Sequence, residues 1–297
     1  MSSVRHARLV LPLIAMVAVA WTVAAPAQRA NNAAAFSPAR LWDGKTPDFR
    51  GIWQARSTAY VNLEGHRGEK GIPASASIVV DPPDGKIPYR PDALAKRNEN
   101  YAARATGDPS LKCYQAGVPR ATYLATPLQI LQSPGNFAIV YQENHAFRVF
   151  HPDDRPHFDA ADWWMGDTRY RWDGDTLVAD VAAQTDQHWL DQAGNFHSTD
   201  FHLVERYRMT DADTLEYEAV MEDATVYSRP WTIRTTLHRV KERGARIIEG
   251  RVSRRRARRA PARLAVRPRE PARARLLALE RRAALERRPS ASGQRSK

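Results

Sequence analysis

Cysteine is nearly absent: Cys113 is the only one in 297 residues. No internal disulfide can form and no paired-thiolate metal site can be assembled, so stability must come from packing. Apolar runs are missing after residue 27, which leaves no later segment able to cross a bilayer as a helix. Three catalytic signatures are missing too. There is no Gly-x-Ser-x-Gly elbow, no His-Glu-x-x-His and no glycine-rich phosphate loop, which weakens nucleophilic-hydrolase, zinc-protease and nucleotide readings. Positive charge is scarce where it would matter. The chain carries a net +12, but Arg251 to Lys297 alone contributes +14 and the first 27 residues +2, so Gln28 to Gly250 is mildly acidic at −4. A folded domain without a basic face is no nucleic-acid binder.

What is present begins with a leader. Arg5, His6 and Arg8 precede the uncharged run Leu9–Ala20, and Ala25-Pro26-Ala27 follows. This is the basic, apolar and small-residue order of a secretory signal peptide, and it implies cleavage and an exported, periplasmic or secreted protein. Residues 28–48 read as a linker. After Gly250 the composition turns abruptly to Arg, Ala and Pro. Three readings of 251–297 stay open: out-of-frame translation of a GC-rich gene, an inert disordered tail, or a basic arm.

Between these ends lies one β-rich domain, 49–250, with strand, loop and helix over 49–127 and a meander over 128–250. The eight Trp, ten Tyr and eight Phe of the chain are enough for one sizeable core. A first strand is expected around Gly51-Ile52-Trp53, a surface loop over the proline-rich stretch Ile72–Pro91, and a helix over Pro91–Arg104. Asp173-Gly174 supplies a two-residue turn, which pairs Trp172 with Asp175 and Tyr170 with Leu177. Around Asp211-Ala212-Asp213 a second hairpin sets Arg208 against Glu216, Arg206 against Glu218 and Tyr207 against Tyr217. A third hairpin pairs Phe137–Tyr141 with Ala146–Phe150, and Trp231–Arg239 adds a further strand. At least eight sequential antiparallel strands favour a closed barrel or strongly curved sheet over a sandwich, because closure hides the edges.

One residue breaks the pattern. Glu205 falls on the inward face between Leu203 and Tyr207, where a carboxylate is costly unless paired. Its ordinary explanation is an internal ion pair with an arginine. Its functional explanation is an acid/base pair with His145 or His197, since a carboxyl and an imidazole can exchange protons near neutral pH. Six histidines from His145 to His202 show no metal spacing, and no cofactor is called for. The residues that combine apolar bulk with a few polar groups, as small-molecule pockets do, are Arg148, Trp164, Asp167, Arg169, Trp172, Trp189, Asp191 and Tyr207.

These words also resemble a family. Gly51-Ile52-Trp53, Cys113–Arg120, Gln129–Gln132, Asn144–Arg148, Trp164–Asp167, Arg171–Val178, Trp189-Leu190-Asp191, Gly194–Ser198 and Glu205-Arg206-Tyr207 are similar to motifs of a family of uncharacterised secreted bacterial proteins, over about Asp48 to Glu249. The resemblance implies no activity. Gly51-x-Trp53 on a first strand is similar to the same feature of lipocalin-like barrels. Two classes are therefore carried forward: a barrel that binds a small organic molecule, and a cofactor-independent lyase, isomerase or hydrolase built on Glu205.

Deleting Arg251 to Lys297 should leave the fold intact, because those residues carry charge but no strand or core pattern. A fall in Tm of more than about 5 °C, on the order of 1 to 2 kcal/mol for a domain this size, would contradict this.

Overall fold

Alternation of apolar and polar residues along most of the chain after Leu128 dictates strands with one buried face, and the computed structural model has them. It describes residues 36–69, 71–158 and 160–248. The expected signal peptide and the basic tail lie outside the described residues. Two strands precede the helix: β1 (Gly51–Ala55) and β2 (Val79–Asp81). The helix α1 spans Pro91–Gly107. Eight strands follow: β3 (Leu128–Ser133), β4 (Asn136–Tyr141), β5 (Phe147–Pro152), β6 (Asp167–Asp173), β7 (Thr176–Ala182), β8 (His202–Asp211), β9 (Thr214–Glu222) and β10 (Trp231–Arg239).

The strands run β1-β3-β4-β5-β6-β7-β8-β9-β10, and β10 pairs again with β1. Nine strands thus close into a barrel. β1 is the closing piece: Trp53 faces Leu128 of β3 on one side and Arg239 of β10 on the other. β2 takes the free remainder of the same β10 edge, through Asp81 with Thr232 and Val79 with Ile233.

The expected meander holds with one correction. β5 and β6 are parallel, and their backbone ladder is limited to His151 with Arg169 and Pro152 with Tyr170. The connection over 153–166 is what permits this, because parallel neighbours need a crossover rather than a tight turn.

The hairpins test the sequence reading residue by residue. β8 and β9 pair as expected, with Arg208 facing Glu216, Arg206 facing Glu218, Tyr207 facing Tyr217 and Glu205 facing Ala219. Arg208 also makes its ion pair, at 2.7 Å. Arg206 does not, because Arg234 of the neighbouring β10 reaches Glu218 at 2.6 Å and Arg206 turns to Asp173 at 3.8 Å. β4 and β5 match as well, with Phe137 opposite Phe150. The β6–β7 turn is corrected by one residue, to Gly174-Asp175, which moves each partner by two, so Trp172 faces Leu177 and Tyr170 faces Ala179. Gly174 alone of the two has positive φ, at 59°, as a turn of the II′ kind requires of its first residue. The shift is even, so every side chain stays on its expected face.

Two other expectations need revision. The supposed linker is folded where it is described, since Leu41 is buried and Arg40 pairs with Asp175 at 2.6 Å. The proline-rich stretch is not all loop, for β2 lies within it. α1 begins at Pro91 as expected and runs one turn beyond Arg104.

Inward residues of all nine barrel strands form one core. Trp53, Ile130, Ile139, Leu177, Leu203, Tyr217, Ile233 and Leu237 are essentially inaccessible. Trp53 anchors the closure, with its indole N–H donating to the Phe49 carbonyl at 3.0 Å and Arg239 stacked over its ring. Trp53→Ala should cost about 3–5 kcal/mol in urea unfolding; a loss below about 1 kcal/mol would show that β1 is not the piece that holds the barrel shut.

Candidate functional site

Strand parity places two charges inside the barrel. Glu205 lies between inward Leu203 and Tyr207 on β8, and Arg148 lies two residues before inward Phe150 on β5, with Phe147 and Val149 turned to solvent. The two form a buried ion pair through Arg148 Nη2 and Glu205 Oε2. Tyr217 and Tyr207 donate their hydroxyls to Glu205 Oε1 at 2.7 and 3.1 Å. Burial, then the Glu205 charge, pushes both phenols well above their usual range, which keeps them as donors. Arg148 Nε donates to Thr168 Oγ1 at 2.8 Å, lacing β5 to β6 where their backbone pairing is shortest. Burial works against the guanidinium charge, but the Glu205 carboxylate with Tyr207 and Tyr141 together outweigh it and raise the Arg148 pKa.

Among the described residues, Arg148 Nη1, Tyr141 Oη and Thr122 Oγ1 in this interior have no hydrogen-bond partner, nor does the buried Trp231 Nε1 on β10. Thr122 belongs to a buried 3-10 turn, Arg120–Tyr123. Thr122 and Arg148 both lie close enough to the Tyr141 hydroxyl to oppose the rise in its pKa that burial causes. Buried polar atoms left without a partner cost free energy.

A second polar layer lies in the loops. Arg120 holds Asp108 with two bonds, at 3.0 and 2.8 Å, and donates to the Trp189 carbonyl at 3.3 Å. Asp191 accepts from the Leu63 amide at 2.8 Å and from the amide and side chain of Asn195. Burial outweighs these bonds and lifts the Asp191 pKa to about 6. The stability this carboxyl contributes is therefore present below its unfolded value near 4 and lost as pH rises through 6. His197 Nδ1 faces the Ser198 carbonyl at 2.8 Å, so it carries the hydrogen; its Nε2 then accepts from His188 Nδ1 at 3.4 Å. Burial pushes both imidazoles below their usual range, His188 furthest. His188 Nε2 is left without a partner, against Gly117, where a Cβ would lie 2.1 Å from the ring and φ is +66°.

The candidate residues fall into separate places. Glu205, Arg148 and Tyr207 meet in the barrel. His197, Trp189 and Asp191 belong to the loop layer. His145 ends the short helical turn Glu143–His145 between β4 and β5. Asp167 and Arg169 pair with each other at 3.0 Å on the outer face of β6. Trp164 packs at a tilt against Tyr114 and Trp172 meets Phe49 edge-on. Among the described residues, the Glu205 carboxylate bonds Arg148, Tyr207 and Tyr217, and His197 bonds Ser198 and His188. No direct hydrogen bond joins Glu205 to His197 among the described residues. Among the described residues, no group of three or more His, Cys, Asp or Glu is arranged to hold a metal ion.

Sequence reasoning missed Tyr141, Thr122, Thr168, Arg120 and His188. Tyr217 was within reach, being already set opposite Tyr207. The others meet only across long sequence separations, which no local pattern reports. No family model matches the chain, and no curated protein matches it either.

Removing one partner of the interior pair should hurt more than removing both. Arg148→Met leaves a buried carboxylate alone and should cost about 3–5 kcal/mol. Arg148→Met with Glu205→Leu should recover at least half of that loss. Equal losses in the single and double variants, read by urea unfolding, would refute the coupling.

Proposed function

We propose that the protein is an exported barrel that binds a small organic molecule through an oxygen-bearing polar group. The observation that carries this reading is the cluster of unpartnered atoms in the barrel interior, Arg148 Nη1, Tyr141 Oη and Thr122 Oγ1. Glu205 already neutralises Arg148, so an uncharged carbonyl or hydroxyl suits the site better than a free anion. Its oxygen would accept from the guanidinium and the tyrosine, and the aromatic side chains around it would cover the apolar remainder. Tyr207, Tyr217 and Glu205 then serve as the fixed frame that holds Arg148 in place. The leader at the N terminus supports export, and the mature chain from such a leader would begin at Gln28.

The acid/base reading finds less support. A carboxylate that accepts from an arginine and two tyrosines is an electrostatic anchor, not a proton carrier, and the hydrogen bonds of His197 go elsewhere.

The test is Tyr141→Phe. Protein purified without denaturant and analysed by native mass spectrometry should retain a small molecule, and the substitution should weaken its binding about tenfold, or about 1.4 kcal/mol. In the ligand-free protein the same change should leave stability unchanged or slightly higher, because an unsatisfied hydroxyl is removed. Loss of more than about 1 kcal/mol in the empty protein, with nothing retained by the parent, would mean that a structural water completes the cluster and would overturn the reading.

A further inference from the structure

His157 lies in the connection that carries the chain from β5 to β6. Its Nδ1 is 3.0 Å from Asp167 Oδ2 on β6, and its Nε2 is 3.0 Å from Asp180 Oδ1 on β7. Ionised carboxylates only accept hydrogen bonds, and a neutral imidazole has only one N–H to give. A neutral ring would satisfy one aspartate and set a bare nitrogen lone pair against the oxygen of the other. Only the imidazolium, with hydrogens on both nitrogens, fits both partners.

The surroundings favour that form. Burial tends to raise Asp167, but the Phe158 amide, His157 and Arg169 hold it below its ordinary value; Asp180 is likewise held down by His202 and His157 against burial. Both therefore remain anions in mildly acidic solution, where an imidazole gains its second proton. His202 Nε2 adds a third contact, 2.8 Å from the same Asp180 oxygen, with Glu222 on β9 at 4.0 Å from its other nitrogen. Arg169 completes the group facing Asp167. On the connection itself, Asp153 faces Arg171 at 3.4 Å, and exposed Asp154 pairs with Arg155.

The ends of the connection are fastened independently of any proton. Asp153 N donates to the Tyr170 carbonyl at 2.9 Å, and Trp163 N to the Ala183 carbonyl at 2.8 Å. Between them, among the described residues, His157 and the adjoining Phe158 amide, which donates to Asp167 at 3.0 Å, tie the middle of the connection to β6 and β7. We propose that His157 is a proton-operated clasp: protonated, it straps the middle of this connection across β6 and β7 beside the two-residue β5–β6 seam, and it releases that strap as pH rises. The clasp is independent of what the barrel interior binds.

The Phe158 amide is the reporter. In the full chain, its protection against hydrogen exchange, corrected for the intrinsic effect of pH, should fall at least about tenfold between pH 5.5 and pH 8.0. The His157 ring should show both nitrogens protonated by 15N NMR at pH 5.5 and one at pH 8.0. His157→Gln should give low protection at both pH values, whereas His202→Gln should keep the pH dependence. A His157 ring already neutral at pH 5.5, or Phe158 protection that does not change with pH, would overturn the proposal even if the variants fail to fold. So would one equivalent of Zn²⁺ shifting the His157 and His202 resonances together and restoring protection at pH 8.0, because the bridging cation would then be a metal.

Discussion

Arg148 and Glu205 are opposite charges held where water does not reach, and neither could stay there alone. An isolated buried charge costs several kcal/mol, while a paired and hydrogen-bonded one approaches balance. Much of the interior is arranged to meet that condition. Tyr207 and Tyr217 donate to the carboxylate oxygen that Arg148 does not hold, and Thr168 takes one edge of the guanidinium. Four strands, β5 and β6 on one side and β8 and β9 on the other, are tied to one pair of side chains as a result. The otherwise apolar interior of the barrel therefore carries one polar, directional cluster.

The loop layer follows the same rule on the other polar side chains. Arg120 and Asp108 neutralise each other, and Tyr123 and Asn195 satisfy backbone and side-chain groups that the irregular chain leaves over. Asp191 is the exception in degree, since burial outweighs its three donors and moves it toward the protonated form. Several sequence words that lie far apart, around Gly117 to Arg120, Trp189 to Asp191 and Gly194 to Ser198, meet here. Their common purpose is visible as mutual hydrogen bonding.

How much of this was legible depended on whether the deciding interaction was local. The β8–β9 register was readable because arginines and glutamates align at successive outward positions while tyrosines align inward. The β6–β7 turn slid by one pair because Asp-Gly and Gly-Asp both offer a glycine at the bend, yet the faces survived because the error was even. Glu205 could be placed inside by parity, and an arginine partner was the ordinary expectation, but Arg148 could not be chosen from sequence. Phe147 and Val149 flank it, and a pattern reading would turn those two inward and Arg148 out; Phe150 opposite Phe137 wins instead. The parallel contact of β5 with β6 rests on two residues and leaves no periodic trace. Arg206 missed Glu218 because a third strand brought Arg234 closer, a competition that no single hairpin reveals.

The way the circle closes bears on the order in which the domain can be built. β8, β9 and β10 join residues a short distance apart along the chain, so their pairing costs little loop entropy. β1 must find β10, which lies at the far end of the domain, and β3, beyond the whole helical segment. Local hairpins are then expected to form before β1 docks. The first barrel strand to be synthesised is the last to gain both neighbours, and until it does β3 and β10 each present a bare edge to any other chain nearby.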